Sequence, residues 1–298
     1  MRLHHLQHFL AVIEAGTLRG AARRLALTQP AITKSLRQLE EHAGARLLLR
    51  TPRGVVPTPA GRRFMTRAKV IQAELRRMEE ELAAERGDAR GSVAFGIAPP
   101  FSLAMPDALA RFRARYPTAR VRVIEGVRAA LLPLVRDETL DFAMGQHADT
   151  ASHSGLRFRP VVRPRLVVAG RKGHPLGNAR SLAELAGCEW LIFNPLGAGG
   201  MLEEAFVAAG VPVPRAIVYC ESFATALALL GRSDVLGLML ERFLDDPFAV
   251  RFMQRFELRD PIPSPSLGLF QRADSSLTPA AAAMAQAVTL AARTAATS

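Results

Sequence analysis

Cysteine is almost missing: Cys188 and Cys220 are the two in the chain, with no CxxC pair and no metal-type spacing. That excludes a disulfide scaffold and a zinc finger, and it fits a reducing compartment. Although 49% of the residues are hydrophobic, no run approaches the ~18 consecutive apolar residues of a membrane helix. His4, His5, His8 and Glu14 stand where a secretory leader would be apolar, so a cytoplasmic, membrane-free protein is expected. Catalytic signatures are lacking as well. The glycine-rich stretch at 197–200 runs into Met201 rather than the Lys-Ser/Thr of a phosphate-binding loop, and no GxSxG, Ser/His/Asp or Cys/His set stands out. His4 and His8 have helical i, i+4 spacing but no acidic or thiol companion, so all three histidines are expected on a helix surface. No catalytic residue, metal or cofactor is expected.

What the chain does have is positive charge in one place. The net charge is +12, and 36 of the 39 basic residues are arginine. Residues 1–70 hold 13 basic and 3 acidic side chains, while residues 71–298 hold 26 and 24. A basic head on a nearly neutral body concentrates a field that a polyanion would feel. The length of 298 residues suits about two domains.

The basic head has helical punctuation. Leu3, Leu6, Leu10 and Ile13 recur at helical spacing up to Ala15-Gly16, a stop. Thr17 then caps a short helix with Ala21, Ala22 and Leu25 on its apolar face, and Thr28 caps a third with Pro30 in its first turn. In this third helix Ile32, Leu36 and Leu39 point inward, which leaves Gln29, Thr33, Lys34 and Arg37 outside. Two helices joined by a few residues, the second with a polar and cationic edge, form a helix-turn-helix. Its side chains suit adenine, thymine methyl, guanine and phosphate in the major groove. Leu47–Leu49 and Val55–Val56 flank the turn Thr51-Pro52-Arg53-Gly54 and predict a β-hairpin wing. The DNA-facing set is then Thr28, Gln29, Pro30, Thr33, Lys34 and Arg37, with Arg50 and Arg53 on a wing suited to the minor groove. From Thr58-Pro59 a long helix follows, in which Phe64, Ala68, Ile71, Leu75, Met78 and Leu82 repeat every seven residues. So narrow a stripe predicts a coiled-coil seam and a homodimer that places two recognition helices on two half-sites.

Residues 1–62 resemble the winged helix-turn-helix of LysR-type transcriptional regulators. The likeness is carried by Ala21-Ala22-Arg23-Arg24-Leu25, Thr28-Gln29-Pro30-Ala31, Leu36-Arg37-Gln38-Leu39-Glu40, Arg50-Thr51 and Thr58-Pro59-Ala60-Gly61. Thr33 replaces the usual Ser, Leu48 a usual Phe and Pro57 a usual Leu. The resemblance implies promoter DNA as partner, dimerisation through the linker helix, tetramers built as pairs of dimers, and RNA polymerase as a further partner.

From Ser92 onward, predicted strands at 93–98, 121–126, 141–145, 165–170, 190–193, 216–220 and 235–240 alternate with helices, the pattern of an α/β sandwich. This part resembles the LysR effector domain, built like a periplasmic binding protein, through Leu134-Val135-Arg136-Asp137, Thr139-Leu140-Asp141-Phe142 and Gly173-His174-Pro175-Leu176. The expected fold is therefore a winged helix-turn-helix (1–58), a linker helix (59–88) and a two-subdomain α/β effector domain (91–298). Subdomain I would take about 92–163 and 267–298, subdomain II about 164–266, with a hinge at Gly87-Asp88-Ala89-Arg90-Gly91. By this analogy a small anionic or aromatic acid sits between the subdomains, at strand-to-helix turns. The expected contacts are Pro100, Phe101, Ser102, Gln146, Asn194, Gly199, Gly200, Glu221 and Ser222. Two other readings stay open: an architectural DNA binder without ligand control, and a redox-sensing regulator using Cys188 or Cys220. Arg53→Ala should weaken binding to every DNA sequence and flatten the salt dependence by about one unit, which a salt titration of DNA affinity checks.

Overall fold

The computed structural model describes residues 1–52, 54–86, 91–147, 155–197, 200–247 and 249–297. Of the expected hinge, only Gly91 lies among them. Two compact units emerge, Met1–Gly87 with Asp137–Thr139, and Asp88–Arg136 with Leu140–Ser298.

In the first unit, α1 (Leu3–Ala15), α2 (Leu18–Arg24) and α3 (Gln29–Ala43) precede a hairpin of β1 (Leu48–Thr51) and β2 (Gly54–Pro57), and α4 (Pro59–Glu85) closes it. Each boundary has a local cause. Gly16 ends α1 in the left-handed conformation at φ 66°, as Gly44 ends α3 at φ 62°, where a Cβ would be strained. Thr17 Oγ1 accepts from Gly20 N–H at 3.0 Å and Thr28 Oγ1 from Ala31 N–H at 3.3 Å, starting α2 and α3. Phe9, Val12, Ala21, Ile32, Leu36 and Leu39 fill the shared core.

The hairpin is tied down by polar groups. Glu40, near the end of α3, accepts from the N–H groups of Leu47 and Leu48 at 2.7 and 3.0 Å. Thr58 donates its hydroxyl to the Arg46 carbonyl and accepts from Gly61 N–H, both at 2.8 Å. At Gly61 the α4 backbone passes so close to the Leu47 carbonyl that a Cβ would collide with it.

In the second unit the strands and helices are β3 (Ser92–Ile97), α5 (Met105–Arg115), β4 (Arg120–Glu125), α6 (Arg128–Arg136), β5 (Phe142–Gln146), β6 (Leu156–Val162) and β7 (Leu166–Arg171). They continue with α7 (Leu182–Leu185), β8 (Trp190–Ile192), α8 (Met201–Ala208), β9 (Ile217–Tyr219), α9 (Phe223–Arg232), β10 (Leu236–Leu240), β11 (Met253–Arg255), β12 (Leu267–Arg272) and α10 (Pro279–Thr297). They build two five-stranded sheets, ordered β4-β3-β5-β12-β6 and β11-β7-β10-β8-β9. In the first sheet β3 runs parallel to β4 and β5, and the returning β12 runs antiparallel to β5 and β6. Stacked Phe95 and Phe142 rings, 5.0 Å apart, centre its core. Alanines 280, 281 and 285 let α10 lie close over Ala108 and Phe112 of α5. In the second sheet Trp190 is fully buried, its indole N–H donating to the Leu185 carbonyl at 3.1 Å.

Strands β6, β11 and β12 escape the alternation read from the sequence. β6 carries Arg157, Arg159 and Pro160 because it is an edge strand, where charge and proline are tolerated. Between β3 and α5 a 3-10 turn spans Pro99–Ala104. Gly61→Ala should lower the unfolding temperature of the first unit more than Gly44→Ala does. The latter meets open space and costs about 1–2 kcal/mol for its left-handed backbone. Calorimetry of the two variants compares them.

Candidate DNA interface and effector cleft

Burial of Ile32, Leu36 and Leu39 turns the opposite edge of α3 outward. Gln29, Pro30, Thr33, Lys34 and Arg37 line one shallow concavity on that edge. Thr28 stands exposed just before it as the helix cap. Arg37 reaches Glu41 one turn on at 2.8 Å, with both side chains mostly exposed. Such a pair holds weakly, so the guanidinium can be drawn to a phosphate at little cost. Arg50 is exposed on β1 opposite Val55, while Arg53 lies outside the described residues.

The histidines correct the sequence reading. His4 is exposed, but His5 is buried and His8 half-buried, its Nδ1 2.7 Å from Ser35 Oγ on α3. The inner face of α1 is wider than the leucine stripe suggested, so these rings wedge between α1 and α3. Burial first, then the neighbouring His4, pushes the His5 pKa below its ordinary value, against a side-chain hydrogen bond with Gln38. Burial, with His4 and His5, lowers that of His8.

The expected seam on α4 is corrected in part. Phe64 meets the Phe9 ring edge-on at 5.2 Å, and Ala68 is 1% exposed within the helix-turn-helix core. The start of α4 therefore packs on its own unit. Further along, Leu75 is half-buried, whereas Ile71, Met78 and Leu82 are exposed at 44, 51 and 47%.

The second unit holds a cleft of about 140 Å³. One wall comes from Ala98–Pro100 and Leu103, from Val127 and Arg128 at the start of α6, and from Gln146 at the end of β5. The other comes from Leu191–Asn194, Gly200–Glu203 at the start of α8, Phe223, Leu238–Leu240 and Phe243, with Pro265 and Leu267 between. Pro100, Gln146, Asn194 and Gly200 meet there as the sequence suggested, and Gly199 lies outside the described residues.

Four expected contacts are elsewhere. In a 3-10 turn residues three apart share a face, so Pro100 and Leu103 line the cleft while Phe101 and Ala104 are turned into the core at 1 and 4% exposure. Ser102 does not line the cleft, and its Oγ is buried with no hydrogen-bond partner among the described residues. Glu221 is exposed and accepts from the Tyr219 hydroxyl at 2.6 Å, and Ser222 caps α9 by accepting from Thr225 N–H at 3.3 Å. These two turn outward after β9, while the next residue, Phe223, lines the cleft.

The cleft's polar groups are few. Gln146 Nε2 donates to Met201 Sδ at 3.0 Å, and both Glu203 oxygens accept from Gly197 N–H at 2.9 Å. Burial lowers the pKa of Arg128. Arg128 was missed although it follows Gly126 in a strand-to-helix turn, the same signal that pointed to Pro100. Burial, then Asp234, raises the Cys188 pKa, and buried Cys220 donates to the Ser222 carbonyl.

A winged helix-turn-helix joined to a two-sheet α/β unit with a cleft defines a helix-turn-helix transcription regulator, and comparisons with known proteins agree. Residues 3–62 match the bacterial regulatory helix-turn-helix protein, lysR family, and residues 86–293 match the LysR substrate binding domain. The chain belongs to the LysR family of transcriptional regulators. It is 32% identical to the regulator GalR of Pseudomonas putida over 94% of this chain and 71% of that protein. It is 30% identical to GbpR of Azospirillum brasilense over 94% and 84%. The fold is shared with the LysR regulator CbnR bound to its target DNA (TM-score 0.69, 23% identity, covering 98% of this chain and 100% of that one). It is also shared with ArgP of Mycobacterium tuberculosis (TM-score 0.70, 19% identity, 97% and 96%).

Because the folded-state pKa of His5 and His8 lies below the unfolded one, the unfolded chain takes up more protons on acidification. The resulting stability is present above about pH 6.5 and is lost as the pH falls through the folded-state values. Melting curves between pH 7.5 and 5.5 should show the first unit weakening, and His5→Gln should shrink that dependence; an unaltered slope would remove His5 as its source.

Proposed function

We propose that this regulator reads double-stranded promoter DNA through the exposed edge of α3, as a homodimer joined along Ile71, Leu75, Met78 and Leu82, under the control of a small organic acid in the cleft. The observation that carries the reading is the single row formed by Gln29, Thr33, Lys34 and Arg37. An amide, a hydroxyl and two cations on one solvent-facing helix edge match base edges and phosphates of a major groove. Arg50, with Arg53, anchors the wing on the adjacent backbone or minor groove.

The apolar residues left exposed along the later part of α4 support pairing with a second copy, since a surface row of this kind gains by being covered. Closure of the cleft around an effector changes the relation of the two sheets. The difference in effector affinity between open and closed forms supplies the free energy of control. The division of the α/β unit into subdomains at about residues 163 and 267 follows the two sheets.

Gln29→Ala should weaken binding to a selected DNA site by ~1–3 kcal/mol while sparing random DNA. Fluorescence anisotropy at fixed salt measures both affinities, and an unchanged ratio between them would overturn base reading by this residue.

A further inference from the structure

The cleft specifies the chemistry of what enters it. We infer that the effector is a monocarboxylate whose remaining body is apolar and about the size of one six-membered ring, with its carboxylate held by Arg128 and Gln146. This rests on the reading above that the cleft is the effector site.

Among the described lining residues, polar side chains belong only to Arg128, Gln146, Asn194 and Glu203. Arg128 is the one cation among them, so a single anionic group has a single place to go. Glu203 is the one carboxylate, and the Gly197 N–H already occupies both its oxygens at 2.9 Å. It therefore closes its own turn and keeps its negative charge, which opposes a second carboxylate in the cleft. Gln146 offers an N–H that now reaches only a thioether, a weak acceptor, at 3.0 Å. A carboxylate oxygen is a far stronger one, so ligand entry exchanges the Met201 sulfur for oxygen.

The rest of the wall is aliphatic or aromatic. A hydroxyl or second carboxylate there would lose its water with no partner to replace it. The volume of about 140 Å³ sets the size, because an apolar cavity of about 150 Å³ takes one benzene molecule.

Calorimetric titration of the full chain with matched probes tests this assignment. Hexanoate and benzoate should bind. Adipate and terephthalate, which add a second carboxylate, should bind at least about tenfold more weakly. Arg128→Gln should cost hexanoate at least about tenfold in affinity, Arg128→Lys less, and Gln146→Leu should also weaken it. Equal binding of the diacids overturns the assignment, as does failure of both monoacids to bind or indifference to Arg128 substitution.

A parallel measurement uses a DNA fragment selected by the protein from a random pool. If hexanoate binds through Arg128 yet leaves DNA affinity and footprint unchanged, the chemistry of the cleft stands and ligand control of DNA binding falls.

Discussion

Three apolar side chains decide what the first unit shows to its surroundings. Ile32, Leu36 and Leu39 are at most 6% exposed, and their helical spacing fixes the rotation of α3 about its axis. Once that rotation is fixed, the polar row at 29, 33, 34 and 37 has nowhere to face but solvent. The exposure of the row is thus a by-product of packing: no residue in it has to hold itself in place. The capping hydroxyl of Thr28 sets where the row begins, and Glu40 sets where the hairpin leaves it.

The same logic explains which parts of the fold were legible in the sequence. Caps, glycine stops and helical periodicity are local, so α1, α2 and α3 and their inward faces can be read from residue order. Edge strands are not local in this sense. β6 carries arginines and a proline because a sheet edge permits them, and nothing in the segment itself announces the neighbour β12. The heptad on α4 was legible as a period, but a period does not say which partner covers each position. Phe64 and Ala68 are covered by the helix-turn-helix core and only the later positions remain open.

At the cleft, the rule that ligands gather at strand-to-helix turns found Pro100, Gln146, Asn194 and Gly200 and would have found Arg128. It failed at Phe101 because a 3-10 turn repeats every three residues, sending neighbours to opposite sides. It failed at Glu221 and Ser222 because both side chains turn outward, and Phe223 is the residue of that turn that faces the cleft. The aliphatic character of the walls was not legible either. It comes from Leu191, Leu238, Leu240 and Phe243, which any buried strand or turn would carry and which become a cavity wall only when two sheets bring them together.

One hydroxyl, that of Thr58, joins the segment before the hairpin to the first turn of α4, where Gly61 lets two backbones touch. That junction has no slack. A torque applied along the 27-residue α4, about 40 Å long, would be delivered to the wing and α3 as a whole rather than absorbed at a joint. In any assembly held together through α4, the distance between the two reading heads is therefore set by how the long helices cross, and a small change in that crossing is magnified at the far end.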